Sequence, residues 1–245
     1  MKHDKPASEA GARRDLALAF RYCARHNWNE NLGNHLSLSI PGEPGHYLVN
    51  PRGLHFSEIT ASNLIVCDLN GQTVRGEGTI RPVAFHIHGR IHAAHPAANA
   101  VLHVHSPYAT ALAGVDRFRF QRVFNANLLL NDRIVYDDAK NGSVNGVEEG
   151  DRLASLMGAK TILFMASHGV LVTGRDLASA LYELMMFERM CWNTLLALQT
   201  GLPLRDLPES LLIRHTVPIS EYVDPYLSLE AWHRILEKEE PLYAG

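Results

Sequence analysis

Apolar residues Leu16, Phe20 and Cys23 recur at helical spacing across residues 12–25 and predict a first helix ending near His26 and Asn27. Leu36, Leu38 and Ile40 alternate with Ser37 and Ser39, the period of a strand; residues 41–45, rich in Pro and Gly, make a turn, and Tyr47, Leu48 and Val49 return. A short helix around 60–64, a strand at 65–69 and a turn at Asn70-Gly71 follow. Pro82, whose missing N–H costs nothing at a first helical position, starts a long helix through His95, and Pro96 stops it. Residues 100–105 predict a short strand, and Ser106-Pro107 caps a helix that ends at Gly114. Beyond an irregular stretch come a strand at 133–136 and a helix at 148–157 closed by Gly158. Strands at 161–166 and 170–173 flank the turn Ser167-His168-Gly169. Asp176 then caps the longest helix, whose stripe of Leu177, Leu181, Leu184, Phe187, Cys191 and Leu195 ends before Gly201.

No repeat, linker or low-complexity run divides residues 1–245. The pattern therefore predicts one α/β domain with a largely antiparallel or mixed sheet, its core over about residues 10–200 and a less regular tail over 201–245. With 46% hydrophobic and 20% charged residues, disorder and coiled coil are excluded. No run of 18 apolar residues exists, so no membrane span is expected. A net charge of −3 supplies no field for nucleic acid, which leaves a small molecule held by local groups as the expected partner. Cys23, Cys67 and Cys191 lack metal or redox spacing and sit among apolar residues. With the charged start Met1-Lys2-His3-Asp4-Lys5, which is unlike an export signal, they point to the reducing cytoplasm.

The 14 histidines carry the chemistry. His103 and His105 lie two apart on a strand and so share a face. His168, at a tight turn between two further strands, offers a third imidazole, and three neutral imidazoles leave a metal one open position. A rival set is His88, His92 and His95, aligned on one helix face; its simpler role is a polar surface bonded to backbone, solvent or a neighbouring subunit.

The segments Gly33-Asn34-His35-Leu36-Ser37, Asn99-Ala100-Val101-Leu102-His103-Val104-His105 and Ser167-His168-Gly169-Val170-Leu171 stand in the order seen in the class II aldolase/adducin-head family, which the chain resembles over roughly residues 10–200. The run from Ile87 to Pro96 is most similar to the adducin-like bacterial branch. The resemblance implies a three-layer α/β/α fold around a mostly antiparallel sheet, and a homotetramer with active sites at subunit boundaries. By the same resemblance His103, His105 and His168 match the family's metal ligands. One divalent ion is expected, zinc ahead of manganese or iron. Asn34 matches a substrate-binding asparagine, residues 50–53 with Arg52 and Gly53 correspond to the turn that holds substrate phosphate, and Tyr136 lies near an aromatic proton donor.

The likeness breaks where the aldolases carry their acid/base glutamate. An ungapped count back from His103 reaches Ala84, preceded by Pro82 and Val83 where phosphate-binding serines would stand. Alanine moves no proton and proline donates no hydrogen bond. Arg52 and Arg81 offer instead the planar fork that suits a carboxylate. The expected function is thus a metal-dependent carbon–carbon lyase, aldolase-like or a decarboxylase, which stabilises an enolate of a carboxylated hydroxy- or keto-substrate. The alternative is a non-catalytic adducin-like interaction domain; a non-haem iron oxygenase would share the ligand set. Glu188, in the longest helix, either orients a ligand imidazole or pairs with Arg189 or a subunit neighbour.

Overall fold

The computed structural model describes residues 6–139 and 146–245; the start at residues 1–5, read above against an export signal, lies outside them. The elements run α1 (Glu9–Arg25), β1 (His35–Ser39), β2 (His46–Val49), β3 (Ile65–Asp68), β4 (Thr73–Arg75), α2 (Pro82–Ala94), β5 (Ala100–Val104), α3 (Pro107–Ala113), α4 (Asn125–Leu130), β6 (Ile134–Asp137), α5 (Val147–Met157), β7 (Ile162–Met165), β8 (Gly169–Gly174), α6 (Leu177–Gln199) and α7 (Pro225–Glu239). Among the described residues eight strands form one sheet in the order β4-β3-β2-β1-β5-β8-β7-β6. Every neighbouring pair is antiparallel except β6 and β7, so the sheet is mostly antiparallel, as expected.

Alternation along the strands sends Leu36, Leu38, Leu102, Val104, Val170 and Val172 to one face, against α1, α3, α4 and α6. Val101, Leu163 and Leu171 point to the other, under Ile87 and Ile91 of α2 and Leu153 and Met157 of α5. The result is three layers, α/β/α. On the α2 side, a separate apolar cluster of Tyr47, Val49, Ile65, Cys67, Ile80 and Ala84 covers β2 and β3. His35, Ser37, Ser39, His88 and His92 lie on that side too, as a polar stripe bonded within itself.

Four local expectations change. Residues 60–64 form no helix: Thr60 and Asn63 bond each other's backbone N–H, a closed turn, and the helical turn lies earlier at Phe56–Glu58. β4 and the short α4 were not anticipated, because three and six residues hold too little periodicity to register. The tail is more regular than expected. Asp224 accepts from Tyr226 N–H and Pro225 opens α7, which packs on α1 and α6 and buries Leu229, His233 and Leu236. Finally, Ser106 does not cap α3 with its own side chain. Its hydroxyl donates to Glu188 of α6, and that carboxylate accepts the N–H groups of Tyr108 and Ala109 at 2.8 and 2.9 Å. Glu188 is therefore the cap, and its two oxygens are taken up there rather than by an imidazole.

Candidate metal centre

β1 and β5 pair in a register that sets His35 directly opposite His103. Both rings point to the α2 side, because Leu36 and Leu102 take the other face. His105 follows β5, its N–H bonded to Trp28 O at 3.2 Å. His168 is presented from the β7–β8 turn, where Ser167 adopts the left-handed region (φ 54°) and donates its N–H to Ala113 O. The next residue has to be glycine. A Cβ on Gly169 would meet Val104 O at 2.7 Å and His105 Cδ2 at 2.8 Å. Gly169→Ala should therefore push the turn off the end of β5, costing about 1–3 kcal/mol and spreading the three rings. Thermal unfolding and metal content of that variant check this; a protein unchanged in both would refute it.

The three imidazoles converge. Ring centroids of His103, His105 and His168 stand 4.7–5.0 Å apart, and one nitrogen from each falls within 4.8 Å of the others. Two of the outer nitrogens are spoken for: His103 Nδ1–H donates to Val170 O at 3.0 Å, and His105 Nδ1–H donates to Glu30 at 2.5 Å. That leaves each of these rings a bare Nε2 lone pair, and the Nε2 of His105 is buried with no partner among the described residues. Burial holds His103 well below the ordinary histidine range and pushes His168 down to about 4, so both stay neutral as metal ligation requires. Three converging imidazoles, two with their outer nitrogens bonded and one with an orphaned inner atom, suit a divalent cation. The donor chemistry fits.

The family of the class II aldolase and adducin N-terminal domain matches residues 14–195. The chain belongs to that family. It is 33% identical over 195 residues to an aldolase class 2-like protein of Caulobacter vibrioides, covering 79% of this chain and 75% of that one. It is 30% identical over 189 residues to the decarboxylase NovR of Streptomyces niveus, covering 76% and 70%. A solved aldolase II superfamily protein from Pseudomonas syringae superposes with a TM-score of 0.87 at 27% identity, covering 98% of this chain and 97% of that one. Among the described residues no helix is long and apolar enough to cross a membrane.

Around the triad, the class II aldolase fold arranges the other candidates unevenly. Asn34, in the left-handed region (φ 67°) and 4% exposed, accepts the N–H of Glu30 with Oδ1, while its Nδ2 donor is buried without a partner among the described residues. Arg81, at the N-terminus of α2, donates to Leu32 O, and its charge adds to the burial that lowers His35. Arg52 and Gly53 form an exposed turn pinned by Arg52 N–H to Thr79 O; Gly53 has a φ of 98° and open space around it. Tyr136 packs against Phe164 under the Arg119 guanidinium, and its hydroxyl accepts the N–H of Phe120. Ala84 is 1% exposed, its methyl sealed in the apolar cluster over β2 and β3. No proton-transferring group occupies this position.

The rival helix set does not gather. His88 stands 2.7 Å from His35 Nδ1 and 2.6 Å from Ser37 Oγ, His92 binds Ser37 and Ser39, and His95 Nε2–H donates to Ala154 O of α5. A cavity of about 400 Å³ at the opposite end of β1, bordered by Ser39, His46, Tyr47, His92 and Asn99, contains none of the triad. The convergent nitrogens, rather than the cavity, mark the candidate site. Glu30 and His35 escaped the sequence reading. Glu30 stands only four residues before Asn34, but nothing in its spacing foretells contact with a residue 75 positions away.

Proposed function

We propose that the chain is a divalent-metal-dependent carbon–carbon lyase for a carboxylated small molecule, acting by decarboxylation in preference to sugar-phosphate aldol cleavage. The observation that carries this is the orphaned Nε2 of His105, turned inward beside His103 and His168 while both outer nitrogens are bonded. In this reading His103, His105 and His168 hold the ion, zinc ahead of manganese and iron. When bound, such an ion supplies Lewis-acid stabilisation of the enolate left by bond cleavage. Asn34 offers its unpartnered Nδ2–H to a substrate oxygen, and Arg81 and Arg52 bind the carboxylate as planar forks. Tyr136 would deliver the proton: its hydroxyl accepts Phe120 N–H through a lone pair, which leaves its own O–H free to donate and steadies the phenolate that remains.

What favours decarboxylation is that Ala84 brings no proton-transferring group to the position that the resemblance assigns to the aldolases' acid/base. Retro-aldol cleavage needs a base for a hydroxyl proton, whereas CO₂ departs without one, and a missing general base costs typically ~10²- to 10⁴-fold. NovR, named a decarboxylase, is a relative on the same side of that choice. The further expectations are a cytoplasmic homotetramer; three free, buried thiols suit a reducing compartment.

The test is metal analysis of the purified protein, followed by a panel of hydroxylated or keto carboxylates against fuculose- and ribulose-type phosphates. Stoichiometric metal, metal-dependent CO₂ release and negligible sugar-phosphate cleavage are expected, with light scattering giving near four times 27.3 kDa. Robust cleavage of a sugar phosphate would overturn the decarboxylase assignment, and a metal-free, inactive protein would favour an adducin-like interaction domain.

A further inference from the structure

The loop between α1 and β1 is tied down around one side chain. Gly33 N–H bonds Glu30 O at 2.7 Å, and a Cβ on Gly33 would strike that same oxygen at 2.7 Å. Asn34 Oδ1 holds the N–H of Glu30, also at 2.7 Å, and Arg81 reaches across from the start of α2 to Leu32 O at 2.9 Å. Asn29 Nδ2 donates to Asn31 O and lies 2.8 Å from His55 Nε2. Three positive-φ or small residues (Asn31, Gly33, Asn34) and two long-range bonds thus shape five residues that bury little apolar surface of their own. Such constraint on an exposed loop is expected where the loop must place a group accurately. The placed group is the Glu30 carboxylate. It accepts His105 Nδ1–H at 2.5 Å while the backbone N–H of His105 bonds Trp28 O, so the loop grips His105 at both its ring and its main chain.

We infer that Glu30 is the positioning residue of the metal centre: its carboxylate locks His105 into the Nδ1–H tautomer, aims Nε2 at His103 and His168, and makes that nitrogen a stronger donor to a divalent cation. This rests on the metal reading proposed above. A neutral imidazole has one N–H and one lone pair, and a carboxylate on Nδ1 decides which nitrogen keeps which. His103 obtains the same tautomer from an uncharged carbonyl, Val170 O. His105 is instead given a full negative charge, so Glu30 also offsets part of the cation's charge. The carboxylate side chain is 72% exposed and lies outside the core, so its replacement leaves apolar packing intact.

The experiment uses the full chain as wild type, Glu30→Ala and Glu30→Gln, with circular dichroism to verify folding. In the metal-free proteins, ¹⁵N–¹H NMR of the imidazoles reads the His105 tautomer. The wild type should show Nδ1–H with a bare Nε2, Glu30→Ala a mixture, and Glu30→Gln the wild-type tautomer, because an amide oxygen still accepts. Cobalt(II) titrated against a competing chelator then reads affinity and coordination. Glu30→Ala should bind ~10- to 100-fold more weakly, with Glu30→Gln in between because the tautomer survives and the charge does not. An Nε2–H tautomer in the wild type, or cobalt affinity and spectrum unchanged in Glu30→Ala, overturns the role of Glu30. A wild type that takes up no cobalt refutes the metal reading itself, and the role with it.

Discussion

Alanine at position 103 should strip the protein of stoichiometric metal. His103 is 2% exposed, bonded through Nδ1 to Val170 O, and closes the triangle with His105 and His168. Four-ligand zinc sites bind with about 10–16 kcal/mol, so one ligand in four is worth about 3–4 kcal/mol, or ~10²- to 10³-fold in affinity. Elemental analysis after dialysis against a mild chelator checks it, with His105→Ala and His168→Ala expected to behave alike. His92→Gln is the contrast: His92 bonds Ser37 and Ser39 rather than the triad, and metal content should stay at the wild-type level. Full occupancy in His103→Ala would remove the centre from this place in the fold, and loss of metal in His92→Gln alone would move it to α2.

Acid should destabilise the protein well above the range where carboxylates titrate. Burial is the main cause that pushes His92 down to about 4 and holds His35 and His88 well below the usual histidine value; neighbouring positive charge adds to it at the latter two. The unfolded chain binds a proton on each of these near pH 6.5, whereas the folded chain does not. Between pH 6.5 and about 4 the unfolded state therefore holds more protons, and stability, complete above 6.5, falls as the pH falls. For His92 alone the loss approaches about 3 kcal/mol at pH 4, and the others add less than their sum because the rings are hydrogen-bonded to one another. Urea unfolding of the metal-free protein at a series of pH values from 7.5 to 4 reads this, and His92→Gln should shallow the slope. A free energy of unfolding flat from pH 7 to 5 would show that the stripe is hydrated or already charged.

That stripe shows how far the chain could be read without its fold. Ser37 and Ser39 alternating with Leu36 and Leu38 announce a strand, and the spacing of His88 and His92 announces a shared helix face. Each pattern, taken alone, describes a surface facing water. In the structure the two polar faces are laid against each other and both are buried, so the imidazoles of α2 find the hydroxyls of β1 instead of a metal. The tail tells the same story on the other side. Leu229, His233 and Leu236 do have helical spacing, but only the surfaces of α1 and α6 give that stripe something to bury against.

Period and residue type are local properties, and they suffice for most of the strands, the Pro-initiated helices and the Asp176 cap; the three histidines that converge were singled out only with the family resemblance. The absence of a proton-transferring side chain at Ala84 is equally a matter of sequence. Which nitrogen of each histidine stays open is not. His103 is oriented by Val170, 67 positions later, and His105 by Glu30, 75 positions earlier. A side chain's identity limits what bonds it can make, but its partner is chosen by the strand register and the loop that bring distant atoms within 3 Å. Residue identity supplies the donors; strand register and loop contacts, made between distant parts of the chain, set where their lone pairs point.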